Sequence, residues 1–99
     1  MEKKDELNLG RKPTRNSQLK WRKEESEKGD CFLVFNPETE QLHTLRPLGI
    51  KILELCDGNH SIEQIIHQLS IDGLLEGKDA EPEIGNFLNE LQKRRMISI

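Results

Sequence analysis

The segment that decides the fold is residues 48–66, which read LGIKILELCDGNHSIEQII. Asp57-Gly58-Asn59 has the composition of a turn, and Gly58 stands where a helix C-terminus favours a residue with positive φ. Ser61 and Gln64 have the spacing of a capping box, in which each side chain accepts a hydrogen bond from the other residue's backbone N–H. Apolar residues then recur on one helix face, at Ile62, Ile65, Ile66 and Leu69. This pattern predicts two helices joined by a tight turn.

A run of strand-forming residues precedes the helix pair. Residues 31–35 are five apolar residues that end at Asn36-Pro37, which is typical of a central strand. Pro37 suits a type I turn, so residues 41–45 are predicted to return antiparallel as the second arm of a hairpin. Weak alternation over residues 18–25 predicts one further strand, with Trp21 as a lid on the sheet rather than a cofactor contact.

The rest of the sequence indicates where three helices begin and end and predicts an apolar tail. The first helix should run from Pro47, which suits a first helical turn, to about Cys56, and the second from residue 62 to about 71. Pro82 should open a third helix after a loop over residues 74–81. Residues 96–99 form an apolar tail that should dock on the core. The predicted fold is α+β and winged-helix-like, with an N-terminal three-stranded antiparallel sheet followed by three helices.

One edge of the predicted sheet has no partner. The helices must cover one sheet face, because nothing else can bury the apolar residues of the central strand. The third strand, residues 41–45, pairs with the central strand on one side, and no later segment is long enough to pair on the other. An unpaired edge strand is a template for another chain.

Composition favours one small domain preceded by a polar arm. The chain has 99 residues and a formal net charge of -3, with 33% hydrophobic residues. Residues 1–28 carry nine Lys and Arg against six Asp and Glu, and little apolar periodicity occurs before Leu19. Residues 1–16 are therefore predicted to be a disordered arm, and residues 17–99 the folded domain.

The sequence also favours a cytosolic protein. No apolar run approaches the roughly 20 residues of a membrane span, and the N-terminus lacks the apolar core of a signal peptide. Cys31 and Cys56 lack CxxC spacing, so both are expected to be reduced and buried, with a disulfide between them as the minor alternative.

Neither a metal site nor catalytic residues are expected. His43, His60 and His67 do not have the spacing of metal ligands, and no cysteine lies near them in sequence. His60 should lie in the turn, His67 in solvent and His43 on the open sheet face. Asp57 has no neighbouring base or nucleophile and should end the first helix. The chain is therefore not expected to be an enzyme or to carry a cofactor.

These features together resemble the PqqD-like family, also called precursor-peptide recognition elements. The resemblance covers residues 19–97 and rests on the strand with its Asn36-Pro37-Glu38 turn and on the helix that ends Leu55-Cys56-Asp57-Gly58. It also rests on the capped second helix and on a closing helix with Phe87, Leu88 and Leu91, followed by Met96-Ile97.

The resemblance implies a non-catalytic adaptor for ribosomally made, post-translationally modified peptides. Members bind the leader of a precursor peptide as an added strand and deliver it to a modifying enzyme, often a radical S-adenosylmethionine protein. The implied groove lies between the third strand and the third helix. The implied peptide-binding residues are Gln41, Leu42, His43, Thr44, Leu45, Phe87, Leu91, Arg94 and Arg95. Some members are fused to their enzymes; here a discrete protein is expected.

A helical wheel divides the third helix into two faces. Ile84, Leu88, Leu91 and Arg95 fall within about 60° of one another and are predicted to face the core. Phe87 and Arg94 lie on the flank and are predicted to wall the groove, with Arg94 able to bind a leader carboxylate. The alternative for residues 93–95 is that they only complement the helix C-terminus.

Two other binding functions fit a helix pair less well. A helix-turn-helix that binds DNA would use the second helix, but residues 46–99 carry six Lys and Arg against nine Asp and Glu. Phosphate would meet such a surface unfavourably. The chain could also be another kind of protein-interaction module, or its exposed strand edge could pair with itself and form a homodimer.

Overall fold

Strands come first and helices follow, as predicted for an α+β fold. The computed structural model describes residues 9–75 and 80–99. The elements are β1 (Thr14–Arg15), β2 (Lys20–Glu24), β3 (Cys31–Asn36), β4 (Gln41–Leu45), α1 (Pro47–Leu55), α2 (Ile62–Ile71), α3 (Ala80–Lys93) and β5 (Ile97–Ser98). The predicted bounds of the first two helices are confirmed. The third helix begins two residues before Pro82, and part of the predicted loop before it lies outside the described residues.

The turn between α1 and α2 has the predicted capping geometry. The Ser61 hydroxyl accepts from the Gln64 N–H at 3.1 Å, and the Gln64 side-chain oxygen accepts from the Ser61 N–H at 2.8 Å. Gly58 has φ 80°. A Cβ at this position would lie 3.0 Å from Thr14 Oγ1, so glycine is favoured both by the backbone conformation and by the close approach of the N-terminal segment. His60 lies in this turn, and its ring contacts Asp57 at 3.0 Å.

Pro37 fixes which backbone groups of β4 face outward. β3 and β4 pair antiparallel with Asn36 opposite Gln41, and pairs in such a ladder alternate between those that exchange hydrogen bonds and those that do not. If Asn36 and Gln41 were a pair without hydrogen bonds, the pairs on both sides of it would have to be bonded. The pair on the turn side contains Pro37, which has no N–H to donate. Asn36 and Gln41 therefore bond each other. By alternation, the backbone groups of Leu42 and Thr44 point away from β3.

The helices cover one face of the sheet, which is ordered β2-β3-β4. Val34 is fully buried on this side, with Trp21 opposite it on β2 and His43 opposite it on β4. Because residues opposite each other lie on the same face, His43 lies on the helix side. The expectation that it points to the open face is wrong. Trp21 packs against the core as predicted.

Residues 9–16 are part of the fold, so the prediction that residues 1–16 form a disordered arm is wrong for them. β1 pairs with β5, which adds a two-stranded sheet that the sequence analysis did not predict. The N–H groups of Ile62 and Glu63, at the start of α2, donate to the carbonyls of Arg11 and Leu9. Pro13 of this segment is fully buried and Leu9 packs against the core, but residues 9–16 have no apolar period and join the fold through backbone hydrogen bonds, which hydrophobic periodicity does not detect. Residues 1–8 lie outside the described residues.

The side chain of Arg15 joins this segment to the other helix of the pair. Its guanidinium donates to the Glu54 carbonyl at 2.9 Å and to the Leu53 carbonyl at 3.3 Å. These carbonyls belong to the last turn of α1, where helical partners are incomplete, and that of Leu53 also accepts from the Cys56 N–H at 3.1 Å. The same guanidinium lies 5.8 Å from the centre of the Trp21 ring. Residues 9–16 therefore hold α1, α2 and the sheet together.

The wheel prediction for α3 is confirmed for three residues and wrong for the fourth. Ile84, Leu88 and Leu91 are at most 2% exposed, whereas the Arg95 side chain is 66% exposed. The helix ends at Lys93, and Arg95 has φ 60°. The Met96 N–H donates to the Leu91 carbonyl and the Arg95 N–H to the Gln92 carbonyl, which is the Schellman arrangement. A wheel extended past this stop misplaces Arg95.

The C-terminal tail docks on the core as predicted, with Met96 fully buried and Ile97 at 5% exposure. Both cysteines are free; Cys56 is buried, and burial raises its pKa to about 12. Cys31 is only half-buried, so the expectation of burial is wrong for it. In the part of the chain that the structure describes, no helix has the length and apolar composition to cross a membrane.

Candidate functional site

The outward edge of β4 lies beside a groove made of two cavities. The first cavity, about 490 Å³, lies between β4, α1 and the N-terminal half of α3. The second cavity, about 370 Å³, lies between β4 and the C-terminal half of α3. Both are lined by Thr44, Leu45, Phe87 and Glu90, so they form one continuous groove along the strand.

The first cavity has an apolar lining and a polar rim. Its apolar residues come from three elements and one loop: Leu45, Leu48, Ile52, Leu75, Ile84 and Phe87. Its charged rim residues are Arg46, Glu83 and Glu90. This composition suits a large apolar side chain that enters from the strand edge.

Gly49 lets α1 approach Phe87 closely. A Cβ at position 49 would lie 3.1 Å from Phe87 Cζ, which is tighter than ordinary van der Waals contact. Phe87 is half-buried and separates the two cavities. A larger residue at position 49 would therefore displace the ring and change the shape of the groove.

The second cavity contains a polar cluster of Glu90, Arg94 and His43. Arg94 contacts Glu90 at 3.4 Å and the Nδ1 atom of His43 at 3.2 Å. Because Arg94 is a donor only, His43 Nδ1 accepts, and Nε2 carries the proton in the neutral ring. His43 Nε2 is buried and has no hydrogen-bond partner among residues 9–75 and 80–99. Burial, and then the positive charge of Arg94, lower the pKa of His43.

Seven of the nine residues predicted for the site line this groove: Leu42, His43, Thr44, Leu45, Phe87, Leu91 and Arg94. Gln41 and Arg95 do not line either cavity. Gln41 is opposite Asn36 at the end of the hairpin. Arg95 contacts Glu38 at 3.2 Å on a different surface, near β1 and β5.

Sequence reasoning missed several residues that line the groove, chiefly Leu48, Gly49, Glu83 and Glu90. Glu83 and Glu90 are seven positions apart, which is two helical turns, so the predicted orientation of Phe87 could have identified them as neighbours on the flank. Gly49 carried no comparable signal, because glycine inside a helix is recognised as a packing residue only when its neighbour is known.

Asn36 was also missed. Among the described residues it is the one polar residue that is buried. Its amide donates to the Arg94 carbonyl at 2.9 Å and to the Arg95 carbonyl at 3.2 Å, and its oxygen accepts from the Glu38 N–H at 3.0 Å. Asn36 thereby fixes the end of α3 against the β3–β4 turn and sets the width of the groove.

The described residues contain no group of three or more His, Cys, Asp or Glu side chains that could hold a metal ion. A family model described as "Coenzyme PQQ synthesis protein D (PqqD)" matches residues 31–97. This range contains β3, β4, all three helices and every residue of the groove. No curated protein and no solved structure matches the chain.

Proposed function

The chain belongs to the family of coenzyme PQQ synthesis protein D (PqqD), a family of precursor-peptide recognition elements, and from this we propose that it binds a leader peptide as a strand added to β4. Family members are small accessory proteins of peptide biosynthesis, not enzymes. The leader would pair with the outward backbone groups of Leu42 and Thr44 and place alternate side chains in the groove.

The observation that carries the proposal is the outer edge of β4, which pairs with no strand among the described residues and lies beside an apolar groove. Each backbone hydrogen bond contributes only about 0.5–1.5 kcal/mol net, while ordering one residue costs about 1–2 kcal/mol. Backbone pairing alone therefore gives little affinity. Each apolar side chain buried in the cavities would add about 1.5–3 kcal/mol, so the groove supplies the affinity and the edge supplies the alignment.

The modifying enzyme is the second partner in this proposal. By family resemblance it is of the radical S-adenosylmethionine type, and the adaptor would present the bound leader to it in the cytosol. Two free cysteines fit a reducing compartment. The adaptor itself would contribute no catalytic group.

DNA binding is less well supported by the helix pair. Phosphate groups commonly bind free N–H groups at a helix N-terminus. At the start of α2, the N–H groups of Ile62 and Glu63 already donate to carbonyls of residues 11 and 9. The carboxylate of Glu63 also lies in this first turn.

The test is to titrate the protein separately with fluorescent leader and core peptides of the precursor encoded beside its gene. We expect the leader to bind, with a Kd between about 1 nM and tens of micromolar, and the core not to bind. Duplex DNA is the control ligand. Equal binding of leader and core, or tighter binding of DNA, would contradict the proposal.

A further inference from the structure

The face of the sheet opposite the helices exposes two large apolar side chains. Phe35 on β3 and Leu42 on β4 are opposite each other in the register. Phe35 is 39% exposed and Leu42 is 61% exposed. Lys20 of β2 completes this cross-strand row, which we call the Phe35–Leu42 row. Leu42 borders the second cavity at the strand edge, but the register places its side chain on the face opposite the groove, so the groove does not account for this exposure.

Leu42 is also one of the two β4 residues whose backbone groups face outward. A peptide strand added to β4 would place one residue opposite Leu42 and another opposite Thr44, each bonded directly to its partner. Residues opposite each other lie on the same sheet face. The peptide side chain opposite Leu42 would therefore extend the Phe35–Leu42 row and cover part of it.

The register assigns the neighbouring peptide residues to the groove. His43 and Leu45 are opposite Val34 and Phe32, on the helix side. Peptide residues opposite them would point into the second and first cavities, respectively. These two residues are two positions apart, about 6.8 Å along a strand, and the two adjacent cavities would each receive one side chain.

The direction of the peptide follows from the sheet itself. All neighbouring strands of this sheet run antiparallel, and one of its faces is open to solvent. Parallel pairing is slightly less stable per residue and occurs almost only in sheets covered on both faces. An added strand antiparallel to β4 meets Leu45 first and Leu42 last.

We infer that the peptide segment bound to β4 has the pattern apolar, any residue, apolar, apolar, an inference that rests on the proposed function. The first apolar residue enters the first cavity, the second enters the second cavity, and the third packs on Leu42 and Phe35 on the open face. The adaptor thus contacts its peptide on both faces of the sheet. The contact on the open face makes binding depend on an apolar residue at the last position of the pattern.

The experiment uses three fluorescein-labelled twelve-residue peptides in a serine and threonine background. The first contains leucine–threonine–valine–leucine in this order. The second has serine in place of the last leucine, and the third contains the four residues in reverse order. Each is titrated by anisotropy against the full chain, Leu42→Ser and Thr44→Pro. Leu33→Ser is the matched control, because Leu33 is opposite Thr44 in the neighbouring row of the open face.

We expect the first peptide to bind most tightly. Leu42→Ser and the serine peptide should each weaken binding about 5- to 30-fold. Each change removes one of the two side chains that make the contact between Leu42 and the last leucine of the peptide. Combining the two changes should weaken binding little further, which identifies them as partners. Leu33→Ser should leave the affinity unchanged, and the reversed peptide should bind no better than the serine peptide.

Several results would overturn the inference. If Thr44→Pro abolishes binding but Leu42→Ser does not weaken it, strand addition stands and the open-face contact is wrong. Tighter binding of the reversed peptide would refute the direction. If Leu42→Ser changes only the sedimentation coefficient of the free protein, a second copy covers the row. If no peptide binds, the pattern is wrong, and the leader titration alone then decides the proposed function.

Discussion

The two edge strands of the sheet, β2 and β4, have equivalent backbones but opposite side-chain chemistry. Four of the five β2 residues are charged, and three of them take part in two ion pairs, Arg22 with Glu24 at 2.9 Å and Lys23 with Asp30 at 3.2 Å. β4 reads QLHTL and has no Lys, Arg, Asp or Glu. Beside β4 lies the groove, whereas the one apolar residue of β2, Trp21, packs against the core.

The same sheet can therefore have one edge that disfavours pairing with another chain, β2, and one edge that permits it, β4. Both strands expose backbone donors and acceptors, and charged side chains on an edge disfavour pairing with another chain. A strand that docks on β2 would desolvate Lys and Arg side chains without a matching partner. The side chains, and not the hydrogen-bonding capacity of the backbone, therefore make β4 the docking edge in our proposal.

The largest expected effect on stability comes from truncating a buried side chain beneath the groove next to β4. Leu91 is 2% exposed and lines the second cavity. Leu91→Ala should lower the free energy of unfolding by about 2–5 kcal/mol, because it leaves a cavity in the core.

Arg94→Ala, on the exposed flank, should change stability by less than about 0.5 kcal/mol but weaken leader binding. Urea denaturation and leader titration measure the two quantities. Unfolding by Arg94→Ala with normal leader binding in the folded fraction would contradict this division.

Proline substitutions should separate the two sides of β4. The N–H of His43 bonds to Val34, so His43→Pro should cost about 1–3 kcal/mol from the lost bond and the unpaired carbonyl. The N–H of Thr44 faces outward, so Thr44→Pro should fold, with a smaller loss of stability, and bind leader at least about tenfold more weakly. Circular dichroism melts and peptide titrations are the measurements.

The matched control lies on the other edge. β3 residues that do not bond β4 bond β2 instead, which leaves the N–H of Lys23 facing outward. Lys23→Pro should therefore fold and bind leader normally. If Lys23→Pro abolishes leader binding and Thr44→Pro does not, the docking edge is β2.

The sequence predicted those parts of the fold that depend on local signals. The capping box at Ser61, the turn at Gly58 and the apolar stripe of α2 each have a short-range cause, and their predicted positions are confirmed. The groove was predictable because its walls, β4 and α3, have clear periodicity. Arg94 and Phe87 lie where the helical wheel places them.

The parts that were missed depend on contacts distant in sequence. Residues 9–16 are polar and aperiodic, and they join the fold through backbone bonds to residues 56–63 and 96–98. Asn36 reads as a turn residue in sequence, yet it is buried because it bonds carbonyls 58 and 59 positions away. Leu42 was predicted only as a peptide-binding residue, and the register adds that its side chain lies on the open face.

A smaller effect is expected at the end of the α3 wall. Gly73 ends α2 with φ 75°, and Arg95 follows α3 with φ 60° in the same hydrogen-bonding arrangement. Arg95→Gly and Arg95→Ala both lose the contact with Glu38, so their difference isolates the backbone. Arg95→Gly should be more stable than Arg95→Ala by about 1 kcal/mol in urea denaturation. Equal stabilities would show that position 95 is not strained. Neither variant should change leader binding, since Arg95 does not line the groove.

The smallest effect is a pH dependence that belongs to β4 and not to β2. The pKa of His43 in the folded protein is lowered from 6.5 by burial and by Arg94, whereas β2 contains no histidine. Between the lowered value and 6.5, the unfolded chain binds more protons at this site than the folded one. The free energy of unfolding should therefore be highest above pH 6.5, decrease as the pH falls below it, and level off below the folded-state pKa.

The His43→Asn variant should lose this decrease, while His67→Asn, at an exposed position on α2, should keep it. Asp57 does not confuse the comparison: a hydrogen bond from His60 lowers its pKa below 3.8, so the stability that it contributes is lost only at more acidic pH. Urea midpoints measured from pH 8 to pH 5 provide the test. If His43→Asn keeps the full decrease and His67→Asn abolishes it, the titrating group lies on α2 and the two sheet edges do not differ in their response to pH.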